Sequence, residues 1–531
     1  MLKYSEEQVE ILSCPDSLVV LANPGSGKTF TISSKIRSIL PELPEYQGII
    51  AISYTNKASD ELKSRTLKGN TMNKKSSFFG TIDKFFLNEI IYPFASHLFT
   101  KNTNDFEIID GSNEHKIIKF KEKFKDIGLK QRLKKKEYID KLRYFYERGE
   151  ILIDTIGSFA VYILQNSIVC QKYMKAKYTH IFIDEYQDCG EEQHEIFINL
   201  QKLGLNGVAV GDPNQSIFGF SNKSAKYLLE LVSNKDFRTF NLTKNYRCHE
   251  DIINYSLSLF ESSYNVQRDS SIEKRVFKKK VNGSESDIAK FIDAKAKLIL
   301  EKYNILNLNS IGVLVRSERT GSIIDKNMML GHKFFRSTPL DSDSSLWAGV
   351  FKKTLHNLFD PSQTAYEFAE EYFDMDNDVN KAEEVIKTLN TLKEQLGNLD
   401  LNLFIKIANL IYPKAKNDRA VQKLQNVLSV KSYIESYIPA KKDQIQIMTL
   451  HKSKGLEFDI VFHLDLYSFV MPQQRKTNGV WEFVDYSQCL NLHYVGVTRA
   501  KEVCILCTST LRTNKSGITT AKESEFWYLV N

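Results

Sequence analysis

The segment ANPGSGKT at residues 22–29 constrains the fold of this chain more than any other feature. It follows a short apolar run, residues 17–21, and matches a phosphate-binding loop, in which a strand, a glycine-rich turn and a helix follow one another. The glycines let backbone N–H groups surround an anion, Lys28 can reach the β and γ oxygens of a triphosphate, and the Thr29 hydroxyl is placed for Mg²⁺. A chance match is the alternative, which the strand–loop–helix context disfavours. The predicted loop comprises Ala22, Asn23, Pro24, Gly25, Ser26, Gly27, Lys28 and Thr29.

A pair of carboxylates follows a second apolar run. Residues 178–183 read as a strand that delivers Asp184 and Glu185 to its carboxyl end. Asp184 can hold Mg²⁺ through water, and Glu185 can orient and deprotonate an attacking water. The alternative is that the two acids cap the next helix, but the presence of Lys28 upstream favours the nucleotide site.

Other apolar runs also end in polar or aromatic residues. Residues 208–210 lead to Gln215, residues 237–242 lead to Tyr246 and Arg247, and residues 48–53 lead to Tyr54. Ligands bind at the carboxyl ends of the strands of parallel sheets. The pattern predicts an α/β fold with its ligand site at this edge.

Composition excludes several classes of protein. The 531 residues are 42% hydrophobic and 26% charged, which is ordinary for a globular chain of three to four domains. No apolar run approaches the ~20 residues of a membrane span, and the amino terminus lacks the apolar core of a signal peptide. Seven cysteines without a regular pattern indicate reduced thiols, so we expect a cytoplasmic protein with no membrane contact.

The spacing of Cys504 and Cys507 raises zinc or iron–sulfur ligation as an alternative. The two cysteines lie three apart in an apolar, strand-like run, so they would face opposite sides of a sheet. No second pair lies near them in the sequence. The pattern therefore favours a strand over a metal site.

Charge is distributed unevenly. Residues 116–148 hold 13 basic against 5 acidic side chains, whereas residues 341–400 hold 13 acidic against 5 basic ones. Solvated helical faces are the simplest interpretation of both segments. Alongside a nucleotide site, the basic segment is a candidate polyanion contact, and the acidic segment would repel phosphate.

Seven motifs together identify a resemblance. In chain order they are ANPGSGKT, SYTNKAS, IFIDEYQD, VGDPNQSIFGF, NYR, IMTLHKSKGLEF and YVGVTRAK. The set is highly specific, spans nearly the whole chain and resembles the UvrD/Rep branch of superfamily 1 helicases. The resemblance implies two RecA-like P-loop domains, each a parallel sheet flanked by helices and each interrupted by a helical insertion. The expected boundaries are 1–95 with 171–245 for domain 1A, 96–170 for the basic insertion 1B, 246–340 with 441–531 for domain 2A, and 341–440 for a reduced acidic insertion 2B.

The resemblance assigns residues to ATP. It implies that Gln8 reads the adenine edge, Tyr246 stacks on the base and Glu457 contacts the ribose. Arg247 and Arg499 would contact the γ-phosphate, and Arg499 would reach it only when the cleft closes. The catalytic group would be Glu185, Gln215, Arg247, Arg499 and Lys28, with Mg²⁺ on Thr29 and Asp184.

The resemblance also assigns residues to DNA. Tyr54, Phe218 and Phe220 match aromatic positions that stack on bases of a single strand, a contact worth about 1–3 kcal/mol per base. Asn56, Thr81 and His451 match polar positions that face the backbone. Each residue taken alone is an ordinary packing or surface residue.

The sequence departs from the family pattern in three places. Phe30 stands where an arginine near the adenine is common, and Asp83 replaces a common histidine. Residues 488–491 replace a run of acids and arginines that supports the domain interface in the family. We therefore expect regulation or coupling to differ while ATP hydrolysis is retained.

These features predict an ATP- and Mg²⁺-dependent motor that moves 3′ to 5′ on single-stranded or tailed DNA. The compact length and the lack of a nuclease segment resemble the helicase-like subunit of an anti-phage defence complex, whose partner is an ATPase–Toprim nuclease. The alternatives are a DNA-stimulated regulatory ATPase with little unwinding and a stand-alone repair helicase. An ATP-binding scaffold without turnover is disfavoured because Glu185, Gln215, Arg247 and Arg499 are all present.

Overall fold

A computed structural model gives the fold. It describes residues 4–54, 56–67, 72–100, 106–110, 115–217, 224–260, 272–373, 375, 378–477, 479–514 and 517–530. Within them the strands are β1 (Leu18–Ala22), β2 (Gly48–Ser53), β3 (Phe78–Thr81), β4 (Glu107–Ile109), β5 (Glu150–Leu152), β6 (Tyr178–Ile183), β7 (Asn206–Gly211), β8 (Arg238–Leu242), β9 (Val276–Val281), β10 (Ile311–Val315), β11 (His332–Phe334), β12 (Ile445–Thr449), β13 (Phe458–His463), β14 (Gln474–Thr477), β15 (Val480–Phe483), β16 (Ala500–Ser509), β17 (Leu511–Asn514) and β18 (Gly517–Thr520).

Helices surround and connect these strands. They are α1 (Glu6–Ser13), α2 (Lys28–Ile39), α3 (Asn56–Leu67), α4 (Ile82–Phe85), α5 (Tyr92–Phe94), α6 (His115–Phe124), α7 (Leu129–Lys134), α8 (Lys136–Glu147), α9 (Ile156–Asn166), α10 (Ile168–Lys177), α11 (Glu191–Lys202), α12 (Lys226–Val232), α13 (Glu250–Leu257), α14 (Glu285–Lys302), α15 (Glu318–Asn327), α16 (Leu346–Phe359), α17 (Ala365–Glu370), α18 (Val379–Glu394), α19 (Leu401–Ile411), α20 (Asp418–Ser429), α21 (Lys431–Glu435) and α22 (Tyr486–Val497).

Two six-stranded sheets organise the chain. The first has the order β3-β2-β6-β7-β1-β8 and the second the order β11-β12-β10-β13-β16-β9, and neighbouring strands run parallel in both. Central strands such as β2 and β10 are buried along their whole length, as expected when helices cover both faces of a parallel sheet. The predicted α/β class with two RecA-like domains is confirmed.

The basic insertion shares its hydrophobic core with the first sheet. Ile117, Phe120 and Phe124 are buried along α6, as their spacing predicts, and they belong to one continuous cluster with Val19 and Ile50 of the sheet. Many of its basic side chains pair with acids. Examples are Lys123 with Glu137 at 2.6 Å, Lys130 with Glu195 at 2.9 Å and Arg132 with Glu192 at 2.6 Å. The charge available to a polyanion is therefore smaller than the residue count indicates.

The acidic insertion has a core of its own. Trp347, Phe351 and Phe404 are almost fully buried at the centre of a cluster formed by its helices. Two large apolar side chains of this insertion remain outside its core. Tyr366 is 53% exposed because it lies on the opposite side of α17 from Phe368, and Leu396 is 44% exposed because α18 ends at Glu394.

The two cysteines with close spacing lie in β16. Cys504 packs in the cluster on one face of the second sheet and Cys507 in the cluster on the other face, as alternation along a strand requires. Burial raises the pKa of both thiols. The arrangement is that of packed core residues.

No single helix in the described part of the chain is long and apolar enough to cross a membrane. Ile153–Asn166 and Ile168–Lys177 pass such a test of length and composition only as a pair, and that pair is bent by 94°.

Replacement of Phe404 by alanine should destabilise the acidic insertion by about 3–5 kcal/mol, because it leaves a cavity in that core. Urea denaturation followed by hydrogen exchange of α16 and α19 measures the loss. The matched control is Tyr366→Ala, which we expect to change stability by no more than about 0.5 kcal/mol. Equal losses for the two variants would contradict a separate core.

Candidate nucleotide-binding cleft and nucleic-acid face

The glycine-rich loop joins β1 to α2 and is shaped by close approach. Gly25 and Gly27 have φ values of 71° and 83°, which disfavour residues with a side chain. A Cβ on Gly25 would lie 2.6 Å from the Cβ of Arg247, so a larger residue would push this arginine away. The loop is thus fitted to the segment that follows β8.

Residues suited to Mg²⁺ lie together at the carboxyl end of β6. The Thr29 hydroxyl lies 3.4 Å from a carboxylate oxygen of Asp184, and Asp184 is 6% exposed. Burial and then the neighbouring charge of Glu185 raise the pKa of Asp184. Oxygen donors of this kind suit Mg²⁺, which would offset charge on the β and γ oxygens of a nucleotide.

Glu185 lies beside the lysine of the loop. Its carboxylate is 3.7 Å from the ammonium of Lys28, and it also accepts a hydrogen bond from the amide of Gln187. Burial alone would raise the pKa of Glu185, but Lys28 and then Lys454 outweigh burial and lower it. A carboxylate held ionised can accept a proton from water. Its backbone φ of 54° is unusual for a residue other than glycine.

Gln215 connects the two sheets. Its amide nitrogen donates to Asp212 at 2.7 Å, and its amide oxygen accepts from Arg499 at 3.4 Å. Tyr494 donates to the same Asp212 carboxylate at 3.2 Å. Residues of the β7 end and of α22 are therefore joined across the cleft.

The second sheet supplies its arginine from the amino end of a strand. Arg499 is 2% exposed and precedes β16. Its guanidinium donates to the carbonyls of Val495 at 3.0 Å and Leu456 at 3.2 Å. Burial, and then the charge of Arg247, lower the pKa of Arg499 to about 10, so it stays charged at neutral pH.

Arg247 and Glu457 contact each other directly. Their closest side-chain atoms are 2.6 Å apart, with Arg247 on the segment after β8 and Glu457 just before β13. Asn245 fixes this segment, because its side-chain oxygen accepts the backbone N–H groups of Arg247 at 2.7 Å and Cys248 at 2.8 Å. The two residues assigned to the γ-phosphate and the ribose thus pair when no nucleotide separates them.

The residues assigned to the base surround Gly27. The amide nitrogen of Gln8 lies 3.3 Å, and the ring of Tyr246 lies 4.0 Å, from the position a Cβ on Gly27 would take. Gln8 is 2% exposed, whereas Tyr246 is 55% exposed and free to face a base. The residues predicted to bind nucleotide therefore converge on one cleft.

Further cross-cleft contacts were not assigned from the sequence. Lys454 donates to the Asp188 carboxylate at 2.7 Å and to the Gln215 carbonyl at 3.0 Å. Asn491 donates to the Ser216 carbonyl at 2.9 Å. Lys454 and Asp188 each lie in one of the seven motifs. Their opposite charges could therefore have predicted an ion pair between the two domains. Asn491 lies in the run that departs from the family, and it still supports the interface through its amide.

Three of the residues assigned to DNA lie at the carboxyl ends of two neighbouring strands. Tyr54 and Asn56 follow β2, and Thr81 is the last residue of β3. Ser53 of β2 pairs with Thr81 of β3, and α3 begins at Asn56. The Tyr54 ring packs against the core of the first sheet, and its hydroxyl donates to Gln193 at 3.0 Å, so only part of the ring is open to a base.

His451 lies on the other domain, after β12. Burial, and then Arg316, lower the pKa of His451 to about 4, so it is neutral at physiological pH. Phe218 and Phe220 lie outside the described residues. The three described residues at the first sheet share one edge, and all the assignments to DNA stay predictions.

Two parallel sheets meet in a cleft that is lined by a phosphate-binding loop, paired carboxylates and two arginines. This arrangement defines a tandem P-loop ATPase. Comparison with known proteins agrees with this class. Residues 6–221 match an AAA domain family, and residues 346–510 match the UvrD-like helicase C-terminal domain. The chain therefore carries an AAA domain and a UvrD-like helicase C-terminal domain, is similar to DNA helicases of the UvrD and Rep type, and is an ATP hydrolase.

Relatives span nearly the whole chain. The Gabija protein GajB of Bacillus cereus (strain VD045) is 27% identical, with 94% of each chain covered. A probable DNA helicase II homolog of Rickettsia conorii is 24% identical, with 94% of this chain and 91% of the relative covered. The ATP-dependent DNA helicase Rep of Buchnera aphidicola subsp. Schizaphis graminum is 22% identical, with 93% and 91% covered.

Arg499→Ala should lower kcat for ATP hydrolysis by about 10³-fold or more, because the buried guanidinium contacts the side-chain amide of Gln215 from the second sheet. Phosphate release at saturating ATP and DNA measures the change. Lys at this position should not restore activity, since it lacks the second donor group. Arg238→Ala, on an exposed pair with Asp16, is the control, and a similar loss there would contradict the assignment.

Proposed function

We propose that this helicase hydrolyses ATP with Mg²⁺ to move 3′ to 5′ along single-stranded or tailed DNA. One observation carries the proposal: Lys28, Glu185 and Gln215 of the first sheet face Arg499 of the second across one cleft, and Arg247, after β8, pairs there with Glu457 of the second sheet. Hydrolysis needs groups from both sheets, so each cycle of binding and release opens and closes the cleft. Bases held at the Tyr54 and Thr81 edge would then be passed along by that movement.

We further propose that the motor works within an anti-phage defence complex, with a GajA-like ATPase–Toprim nuclease as its partner. Support comes from the relative named a Gabija protein, which matches this chain over 94% of both lengths. The acidic insertion is the proposed contact, because an acidic surface is a poor DNA contact and remains available to a protein.

The structure refines the proposed partner surface. Several acids of this stretch are paired within the chain, namely Asp343 with Lys423 at 3.0 Å and Asp341 with Lys452 at 3.3 Å. Glu383 and Glu394 of α18 are exposed to solvent. A partner would therefore meet the α18 side of the insertion rather than the residues next to the second sheet.

A strand-displacement assay separates the motor from a regulatory ATPase with little unwinding. The purified chain should displace the strand of a 3′-tailed duplex but not of a 5′-tailed one, and Lys28→Ala should abolish both displacement and phosphate release. Hydrolysis that DNA ends stimulate without displacement would instead support the regulatory alternative. A chain that hydrolyses no ATP would contradict both.

Charge reversal tests the proposed partner surface. Lysine at Asp374, Asp376 and Asp378 should reduce co-purification with a co-expressed ATPase–Toprim nuclease at least about tenfold, by replacing attraction with repulsion. Asp374 and Asp376 lie outside the described residues, so a second set, Glu383→Lys with Glu394→Lys, tests the described helix. Glu301→Lys on α14 is the matched control. Unchanged assembly of both sets would reject this surface.

A further inference from the structure

The first helix of the chain is held by two charged side chains that the proposed chemistry does not use. α1 lies between the loop helix α2 and the segment that follows β8. It carries Gln8, the residue proposed to read the base. The charged contacts are made by Lys35, on α2, and by Glu7, on α1 itself.

Lys35 caps the carboxyl end of α1. Its side chain is buried, with 3% of the residue exposed, and its ammonium donates to the carbonyls of Ile11 at 2.9 Å, Cys14 at 2.7 Å and Leu12 at 3.4 Å. The last carbonyls of a helix lack partners within the helix and carry partial negative charge. All three ammonium hydrogens of Lys35 are thus used to fix where α1 ends.

Burial of the charged Lys35 side chain is energetically unfavourable. Burial lowers the pKa of Lys35, which shows that the charged form is disfavoured by its surroundings. The main partners of the ammonium in this site are carbonyl groups rather than a carboxylate, and a shorter polar residue on α2 could not reach three of them. Lys35 therefore serves to fix the position of α1, and it does not form an ordinary surface ion pair.

Glu7 ties the other side of α1 to the end of β8, the edge strand of the same sheet. Its carboxylate accepts the backbone N–H of Thr243 at 3.0 Å and that of Lys244 at 3.5 Å, and it also accepts the Thr243 hydroxyl. These residues immediately precede the segment with Tyr246 and Arg247. Lys35 and Glu7 therefore hold α1 between α2 and the segment that follows β8. We call the contacts of these two side chains the brace.

The brace sets the orientation of the Gln8 amide. The amide oxygen accepts the backbone N–H of Ser5 at 3.0 Å, and the amide nitrogen lies 3.4 Å from the hydroxyl of Thr31 on α2. Tyr4, which precedes the helix, places its ring 5.6 Å from that of Phe30. Phe30 stands where an arginine near the adenine is common in the family, and the residue that contacts it comes from the segment just before α1.

We infer that Lys35 and Glu7 are positioning residues for base recognition, because they hold α1 and thereby fix Gln8 beside Gly27. This inference rests on the proposed role of Gln8 toward adenine. Lys28 and Thr29 begin α2 directly after β1, so the phosphate contacts do not depend on α1. Loss of the brace should weaken recognition of the base and leave the chemistry of the phosphates unchanged.

The experiment compares ATP and GTP, since both purines stack on an aromatic ring and differ at the edge that an amide reads. Lys35→Met keeps the length of the side chain and removes its donors. We expect KM for ATP to rise about tenfold, with kcat and KM for GTP changed no more than about twofold. The preference for ATP should fall about tenfold, an amount within reach of one lost hydrogen-bonding contact. Lys290→Met, on an exposed i,i+3 pair in α14, is the matched control.

A double variant separates positioning from general destabilisation. If Lys35 acts through Gln8, Lys35→Met should add little to Gln8→Ala, and the two changes should be strongly non-additive in ATP preference. Glu7→Gln should shift the preference in the same direction by a smaller factor, and it serves as the test if Lys35→Met does not fold. An unchanged ATP preference in the folded variants would overturn the inference, as would equal rises of KM for both nucleotides.

The outcomes also distinguish this inference from the proposed function. Failure of the unmodified chain to hydrolyse any nucleotide contradicts the proposed function itself. Hydrolysis with a clear ATP preference that survives both variants contradicts the brace alone. Hydrolysis with no preference in the unmodified chain overturns the role of Gln8 and, with it, the inference.

Discussion

Contacts between the carboxyl edge of one parallel sheet and the amino edge of another hold this structure in its described arrangement. The Lys454 ammonium reaches Asp188 at 2.7 Å, the Asp212 carboxylate accepts Tyr494 at 3.2 Å, and Arg499 lies 3.4 Å from the Gln215 amide. Apart from Lys454, which is partly exposed, these groups are buried, so each needs its partner from the opposite sheet. The Arg247–Glu457 pair adds a further contact in the same cleft, so the residues assigned to the nucleotide also help to position the two halves of the protein.

The sequence predicted the strands and the residues that follow them well, because both depend on patterns among residues that are close together in the chain. Apolar runs rich in β-branched residues form buried parallel strands, and loops after those strands must lie at one edge. Lys28, Asp184 and Gln215 therefore meet on one sheet wherever the helices pack. Arg499 and Glu457 were placed by the family resemblance, since no local pattern connects residues so distant in the chain.

The sequence did not predict contacts that depend on how the sheets meet. Lys454 and Asn491 bond to backbone carbonyls of the other sheet, and a carbonyl has no signature in a sequence. Lys35 resembles any basic residue on an amphipathic helix until the end of α1 is known to lie over it. Leu396 is exposed for a simpler reason, because α18 ends at Glu394 and a spacing of apolar residues does not locate the end of a helix.

The two insertions differ in how they are attached to their sheets. Residues around α6 and α8 merge with the core of the first sheet, whereas Trp347, Phe351 and Phe404 form a core that the second sheet does not share. We therefore expect the first insertion to move with its sheet as one rigid body. The second folds around a separate core between β11 and β12, against which Ile108 and Ile153 of the first insertion pack, so a change in its length would leave the core of the second sheet intact and would be felt first by the other insertion.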